Sequence, residues 1–386
     1  MSLSSINTDV CIVGGGSVGA LLALHLAHST DLSVHLIEQQ SYDDVCADPR
    51  HIALAASTVD TMTQLGIDCA TLGYPITQIH VSDTGYLGQC RLQASELDVP
   101  ALGYVVSLSA LTKQLHSQLV DHPQIIVHYQ NRIASHEQFD GRHHIASDSQ
   151  QWGCQYCVIA AGNSQTMPWL LETVIQKDYG QYGVVANIQV AGNGPQRYRH
   201  TTAFERFTNT GPLAMLPIED DTYNMLWSMT QDQAEAFLAH SSSKQCELVQ
   251  EAFGTRLGRF TQMDSPVMFP LRLTQQQTLH RDIVVLGNAS QTLHPIAGQG
   301  FNLAHRDVVA LVRLLAEKHS PIDIAETYRK ARARDRQRTV QATDWLLHSF
   351  SHELLPFVLP RNLGLLAMQK SRWLRRCFAR LAMGYR

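Results

Sequence analysis

The chain has 386 residues, of which 44% are hydrophobic and 17% charged, and its formal charge is −4. That length suits two domains rather than one, the composition excludes a disordered chain, and the acidic balance argues against nucleic acid as a partner. Seven of the 30 lysines and arginines fall within residues 361–386, which hold no acidic residue, so the body of the chain is more acidic than the total.

In chain order, residues 8–13 (TDVCIV) form a short apolar run and predict a buried strand. GGGSVG follows at once, then the apolar, helix-forming ALLALHLAHS, then a second strand at 33–38 (SVHLIE). Strand, glycine-rich turn, helix and strand make a βαβ unit, which predicts a parallel sheet covered by helices. A helix is expected over 55–66, strands over 76–82 and 89–93, a helix capped by Ser107 or Ser109 to about residue 120, and strands over 125–129, 132–138 and 143–147. QYCVIAAG (155–162) predicts another buried strand. Between about 181 and 272, alternating runs such as GVVANIQV and LAMLPI predict antiparallel sheet, interrupted by one helix over 231–253. DIVVLGNA (282–289) is again strand-like, and helices are expected from Gly300 to about 317, over 323–350 and over 363–382.

No apolar run reaches 18 residues, so no transmembrane helix is expected, and the N-terminus carries no signal-peptide pattern. The eight scattered cysteines fit reduced thiols and a cytoplasmic location. Cys154 and Cys157 form one CxxC with no second pair to complete a zinc site. Strand alternation places them on opposite faces, against a disulfide. No metal site is expected.

Gly14, Gly16 and Gly19 form GxGxxG, with Ser17 opening the helix. The first glycine permits the turn, the second lets a pyrophosphate approach the backbone, and the third lets helix and strand pack closely. The helix start offers free N–H groups and a positive dipole end. Glu38 stands at the tip of the second strand, where a carboxylate can accept both ribose hydroxyls. This pattern points to a dinucleotide and does not separate FAD from NAD.

The segment GNASQTLHPIAGQGFNLAHRDV (287–308) resembles the third flavin fingerprint of the aromatic-hydroxylase superfamily, with Gly287, Ala289, Pro295, Gly298, Gln299, Gly300, Asn302 and Asp307 in matching places. RHIALAAST (50–58) and AFERFTNTGPLAMLPI (203–218) further resemble the ubiquinone-biosynthesis hydroxylases within it. The resemblance runs from Asp9 to the tail. It implies an α/β fold: a Rossmann-like FAD-binding domain from 1–72, 100–178 and 273–345, an inserted, mainly antiparallel substrate domain from 73–99 and 179–272, and a C-terminal helical segment over 346–386. It also implies FAD as cofactor, NAD(P)H as reductant, O₂ as oxidant, and hydroxylation of a phenol through a flavin C4a-hydroperoxide.

Carried onto this chain, the FAD-binding set is Gly14, Gly16, Ser17, Gly19, Glu38, Arg50, Gly162, Gly287, Asn288, Gly298, Gln299, Gly300, Phe301 and Asn302. The Pro295–Gly300 loop and the helix after it can face the flavin pyrimidine edge, where a positive dipole end favours the charge of reduced flavin. Ala161 stands where the superfamily has an aspartate. His294 is a candidate proton-transfer group beside Pro295. Leu213, Met215 and Pro217 alternate, share one face, and are expected to border the substrate. A polyprenylated phenol is the implied substrate, with peripheral membrane contact through the basic amphipathic stretch 363–382 and a ubiquinone-biosynthesis complex as further partners. A different aromatic substrate, or a non-catalytic FAD-binding subunit, are the alternatives.

Overall fold

The computed structural model describes residues 5–162, 167, 171–191, 201–278, 280–294, 298–317, 320–351 and 355–385. The first strand, Ser5–Val13, pairs in parallel with Val34–Ile37 (Val10↔Val34 to Val13↔Ile37) and with Gln151–Ile159. Parallel neighbours need a crossover, and the helix Ser17–Ser29 supplies it. Ile125–His128 extends the sheet on one side. Arg142–Ala146, Ser135–Phe139 and Val284–Val285 extend it on the other. Leu21, Leu22 and Leu26 of the crossover helix are fully buried, because it lies between the sheet and the helices Leu108–Leu119 and Gln299–Ala316. A helix wrapped by core needs no polar face, which is why its sequence is apolar nearly all round.

The second sheet is mainly antiparallel. Its central strands are Leu171–Ala191, Thr222–Thr230, Pro212–Glu219 and Thr202–Phe207. Its one parallel pairing among the described residues joins Thr202–Phe207 to Gln78–Asp83. One face is covered by two helices, and there Leu213, Met215, Met225 and Trp227 of the sheet pack with Val249 and Phe253 of a covering helix. The other face looks onto a cavity. A small third sheet, His51–Ala55, Gly103–Ser107 and Gly73–Ile76, lies between these bodies. This is the expected α/β fold: a Rossmann-like sheet with a mainly antiparallel sheet inserted.

Three local expectations are corrected. The single helix over 231–253 is two, Gln231–Leu238 and Ser242–Phe253, because the Ser241 hydroxyl accepts from the Lys244 amide and starts a new helix. The single helix over 363–382 is likewise two, Leu355–Lys370 and Arg372–Ala382, with the Ser371 hydroxyl accepting from the Leu374 amide. Serine competes with helix continuation by capping backbone N–H groups. Finally, Cys154 and Cys157 do not lie on opposite faces. Both sit with Cys11, Trp152 and Ile159 in one buried cluster, while Tyr156, Val158 and Ala160 fill the other side. The pleat therefore slips by one residue between 154 and 157, and the adjoining strand slips with it, since Ile6 and Cys11 also share a side. All three thiols are free.

The helix Gln299–Ala316 is fixed from behind. Asp307 is buried and accepts from Arg332 Nε (2.6 Å) and Arg336 Nη2 (2.7 Å), and Arg306 pairs with Asp335 (3.0 Å). These bonds tie it to the long helix Pro321–Ser351.

Candidate active site

A cavity of about 1600 Å³ runs from the glycine turn to the C-terminal helices, larger than the roughly 300–1,000 Å³ of an ordinary single-ligand pocket. Its nucleotide end is made mostly of backbone. Gly19 lies so close to the turn that an added Cβ would stand 1.9 Å from the Gly14 carbonyl oxygen, and one on Gly14 would stand 2.5 Å from Ala161 Cα. A Cβ on Gly16 would meet nothing within 4 Å. The turn is thus closed against its own sheet and open toward the cavity, the shape a pyrophosphate needs at a helix start. These residues fit a dinucleotide.

Glu38 is buried. One carboxylate oxygen accepts from the Gly15 amide (2.5 Å), the other from the Gln40 amide (2.8 Å). His116 supports the turn from below: its Nε2 meets the Gly15 carbonyl at 2.6 Å and its Nδ1 meets the Tyr129 hydroxyl at 2.5 Å. A carbonyl only accepts, so Nε2 carries the proton and Nδ1 accepts from the tyrosine. Burial pushes the His116 pKa down, which keeps the ring neutral. Neither His116 nor Tyr129 stands out in the sequence, since each depends on a contact across the fold.

Gly14, Gly16, Ser17, Glu38, Arg50, Gly162, Gly287, Asn288, Gly298, Gln299, Gly300, Phe301 and Asn302 all line this end. Gly19 is the packing glycine beneath it. Arg50 reaches Asp48 (2.5 Å) and is largely exposed. Asn302 is more than a lining residue. Its Oδ1 accepts from the Ala55 amide (2.8 Å) and the Thr58 hydroxyl (2.9 Å), and its Nδ2 donates to the carbonyls of Ala53 and Gly298 (both 2.9 Å). Four bonds leave the amide nothing to offer a ligand. Asn302 clamps the loop and its helix to the strand His51–Ala55, and so sets where Gly298–Phe301 lie. Ala161 also lines the cavity, so position 161 faces this end without a carboxylate.

Two sequence expectations move. His294 is buried, meets Tyr179 edge-on (5.3 Å between ring centres) and is not among the cavity-lining residues. Burial pushes its pKa down to about 4, so it is a weak proton acceptor at neutral pH. Pro295 lies outside the described residues. Leu213 and Met215 are fully buried on the helix-covered face of the second sheet. Pro217 shares their parity and does not line the cavity. The cavity is lined instead by Ala214 and Leu216. The alternation was correct and the face was inverted, because the helices that cover Leu213 and Met215 leave no mark within the strand itself.

Beyond the nucleotide end the wall becomes side chains. Val185, Leu226 and Phe269 line the middle, with Glu205 set among apolar neighbours. A final arm runs between Ile79, Val81, Cys90 and Leu92 of the hairpin formed by Gln78–Asp83 and Gln89–Gln93 and Leu365, Met368 and Phe378 of the C-terminal helices. Those helices are held by a buried ion pair, Arg361 Nε to Asp83 Oδ2 at 2.8 Å. Asn362 adds bonds to Asp83 and to the Gly88 amide. Farther along, Arg375 grips Glu96 at 2.8 and 2.9 Å.

Residues 7–343 match the family model described as FAD binding domain. The 3-demethoxyubiquinol 3-hydroxylase of Escherichia coli is 27% identical over 392 residues, covering 98% of this chain and 98% of its own. The ubiquinone hydroxylase UbiL of Rhodospirillum rubrum is 29% identical, over 97% of this chain and 89% of its own. Among solved structures, p-nitrophenol 4-monooxygenase PnpA from Pseudomonas putida superposes with a TM-score of 0.78 over 98% of this chain and 97% of that one, at 14% identity, a likeness of fold. The glycine turn, the clamped helix start at Gly298–Phe301 and the family match over 7–343 agree, and the chain belongs to this family of FAD-binding proteins.

Proposed function

We propose that the protein is an FAD- and NAD(P)H-dependent aromatic monooxygenase that hydroxylates the ring of a polyprenylated phenol in ubiquinone biosynthesis. The carrying observation is one continuous cavity: a backbone-lined end suited to FAD, a middle suited to an aromatic ring, and an apolar arm suited to an isoprenoid tail. The relatives named above as ubiquinone hydroxylases support the same substrate class.

When bound, FAD carries reducing equivalents from NAD(P)H to O₂. The residues hold and shield. The Gly14–Gly19 turn and the helix start would take the pyrophosphate, and Glu38 would take the ribose hydroxyls with the lone pairs its two amide bonds leave over. Gly298–Phe301, held by Asn302, would offer a helix N-terminus to the flavin, a positive dipole end that favours negative charge. The apolar middle excludes water from the reacting ring.

The C-terminal helix also supports a peripheral membrane contact. Ala379 and Met383 face the body. Trp373, Cys377 and Leu381, one turn apart, are all exposed and flanked by exposed Arg372 and Arg380. An outward apolar stripe beside arginines suits an anionic bilayer, and Phe378 places the cavity arm at the same helix. No helix among the described residues is long and apolar enough to cross a membrane.

The test is the visible spectrum of the purified protein under anaerobic NAD(P)H, with and without a prenylated phenol. Flavin that bleaches faster with the phenol, followed on aeration by a hydroxylated product, supports the proposal. Flavin that never bleaches, or oxidation of NAD(P)H without product from any phenol, overturns it.

A further inference from the structure

A phenol ring attacks an electrophilic oxygen faster once its hydroxyl proton has been accepted, so a base is needed at the ring oxygen. Most acidic groups around the cavity are already engaged. Glu38 holds two backbone amides, Asp48 holds Arg50, Asp264 accepts from the Asn187 amide at 2.7 Å, and Asp83 is held by Arg361 and Asn362. His51 lines the nucleotide end, and burial lowers its pKa. One carboxylate is left. Glu205 lies in the strand Thr202–Phe207, with Ala214 opposite on one side and Val81 on the other. It lines the cavity with Ile79, Val81, Ala214, Leu216 and Leu226. It has no side-chain hydrogen bond or ion pair among the described residues.

We propose that Glu205 is the base that accepts the phenolic proton of the substrate, an assignment that rests on the reaction proposed above. A carboxylate facing an apolar chamber carries a desolvation cost that only a polar ligand group can offset, and a phenol hydroxyl is such a group. Burial pushes the Glu205 carboxyl up to about 7, near the optimum for a base working at neutral pH. Its surroundings leave that shift in place. On the neighbouring strand Asp83 is neutralised by Arg361 at 2.8 Å. From the hairpin comes Cys90, whose thiol burial pushes up to about 11. The strand beyond offers the uncharged Asn224. Arg206, next in sequence, points to the far face and donates to the Ala252 carbonyl.

The net reaction takes a phenol, O₂, NAD(P)H and one proton to a dihydroxybenzene, NAD(P)⁺ and water. NAD(P)H and the ring carbon are oxidised and O₂ is reduced. Within it, the phenol O–H breaks as Glu205 takes its proton. The ring pair forms the new C–O bond as the O–O bond breaks, the ring carbon loses its hydrogen as a proton to the departing oxygen, which leaves as water, and Glu205 returns its own proton to the phenolic oxygen of the product.

The experiment pairs Glu205→Gln and Glu205→Asp holoenzymes with wild type. For wild type, kcat/KM should climb with pH through about 7 and level off, because the protonated acid below that value cannot accept. Glu205→Gln should lose that limb, and its hydroxylation rate should fall about 10²–10⁴-fold. Glu205→Asp should keep the limb at a reduced rate. A binding readout separates chemistry from structure. Titrated against oxidised flavin, a prenylated phenol should bind wild type more tightly than its methyl ether above pH 7 and no more tightly at pH 5. Glu205→Gln should show no such preference at either pH. Glu205→Gln should also melt above wild type at pH 8, since a raised carboxyl pKa costs the native state stability as pH rises from the unfolded value toward 7. A glutamine variant that keeps the pH limb and hydroxylates within about threefold of wild type overturns the assignment. If wild type hydroxylates no prenylated phenol, the substrate reading falls, and Glu205 is judged by the phenol-over-ether preference with whichever phenol the protein does bind.

Discussion

The two ends of the cavity are built from different material. At the nucleotide end the wall is main chain, with Gly14 and Gly19 packed to within a Cβ of their neighbours, and Asn302 makes all four of its hydrogen bonds internally. At the sheet end the wall is side chain, with Ala214, Leu216, Leu226 and Val81 around the carboxylate of Glu205. Main chain packed as closely as at Gly14 and Gly19 cannot accept an added methyl group, whereas a wall of side chains can be refilled with others of similar volume. The first end is therefore rigid and sharply specified, and the second is where a substrate can be chosen.

The sharpest way to break that contrast is at Gly19. An alanine there would put its Cβ 1.9 Å from the Gly14 carbonyl oxygen, an overlap that no side-chain adjustment relieves. Gly19→Ala should leave protein with no flavin, read as flavin content per chain after purification with FAD present. Flavin retained at wild-type level would show that the turn moves more freely than its packing implies.

The second test uses the two faces of one strand. Met215 is fully buried under the helices and Ala214 faces the cavity. Met215→Ala should cost about 2–5 kcal/mol of stability and leave KM for the phenol unchanged. Ala214→Phe should leave the melting temperature near wild type and raise KM about tenfold or more, one pair of measurements separating core from pocket. Reversed outcomes would restore Leu213 and Met215 to the substrate.

Asn302 comes next, because its effect crosses from one end to the other. Asn302→Ala leaves the Ala55 amide, the Thr58 hydroxyl and two carbonyls without their partner, a loss of about 3 kcal/mol, measured by denaturant unfolding. It should also weaken FAD binding, since the helix start Gly298–Phe301 is no longer held against His51–Ala55. Loss of stability with unchanged FAD affinity would make the clamp purely structural.

The same contrast governs what the sequence reveals. GxGxxG and the Gly287–Gly300 run are legible because their glycines answer needs of the backbone within a few residues, and Glu38 because it closes the same strand–turn–helix–strand unit; Asn302 is legible as a motif position, but its partners Ala53, Ala55 and Thr58 lie far off in the chain. Asp307 is legible as a motif position, but its task, pairing with Arg332 and Arg336, depends on a helix two dozen residues on. The alternation of Leu213 to Pro217 is legible, yet which face meets the cavity depends on helices from 231–253 that could cover either side. Glu205 lies within a segment that resembles the hydroxylases, and its role cannot be read there, since its isolation arises from the strand Gln78–Asp83, more than a hundred residues earlier. The Cys154–Cys157 slip shows the limit of periodicity: strict alternation assumes an unbroken pleat, and two adjacent strands break it together.

The smallest expected effect lies at the boundary between the two ends. Ala161 follows the strand Gln151–Ile159, and its Cα closes on Gly14 at the distance that forbids a side chain on the glycine. The backbone at 161 is thus fixed, and any larger side chain there extends into the cavity that Ala161 lines. Ala161→Asp would place a carboxylate beside the FAD site. As a charged acceptor for a cofactor hydroxyl it contributes about 1.5–3 kcal/mol, and as a charge near the phosphates it opposes binding and cuts into that gain. Hydrogen bonding is expected to win, because the positive dipole end of the Gly14–Gly19 helix start would offset the charge of the phosphates. FAD should therefore bind Ala161→Asp up to about tenfold more tightly, measured by quenching of free FAD fluorescence. Looser binding would mean that repulsion from the phosphates dominates at this position, and that alanine is the residue this nucleotide end requires.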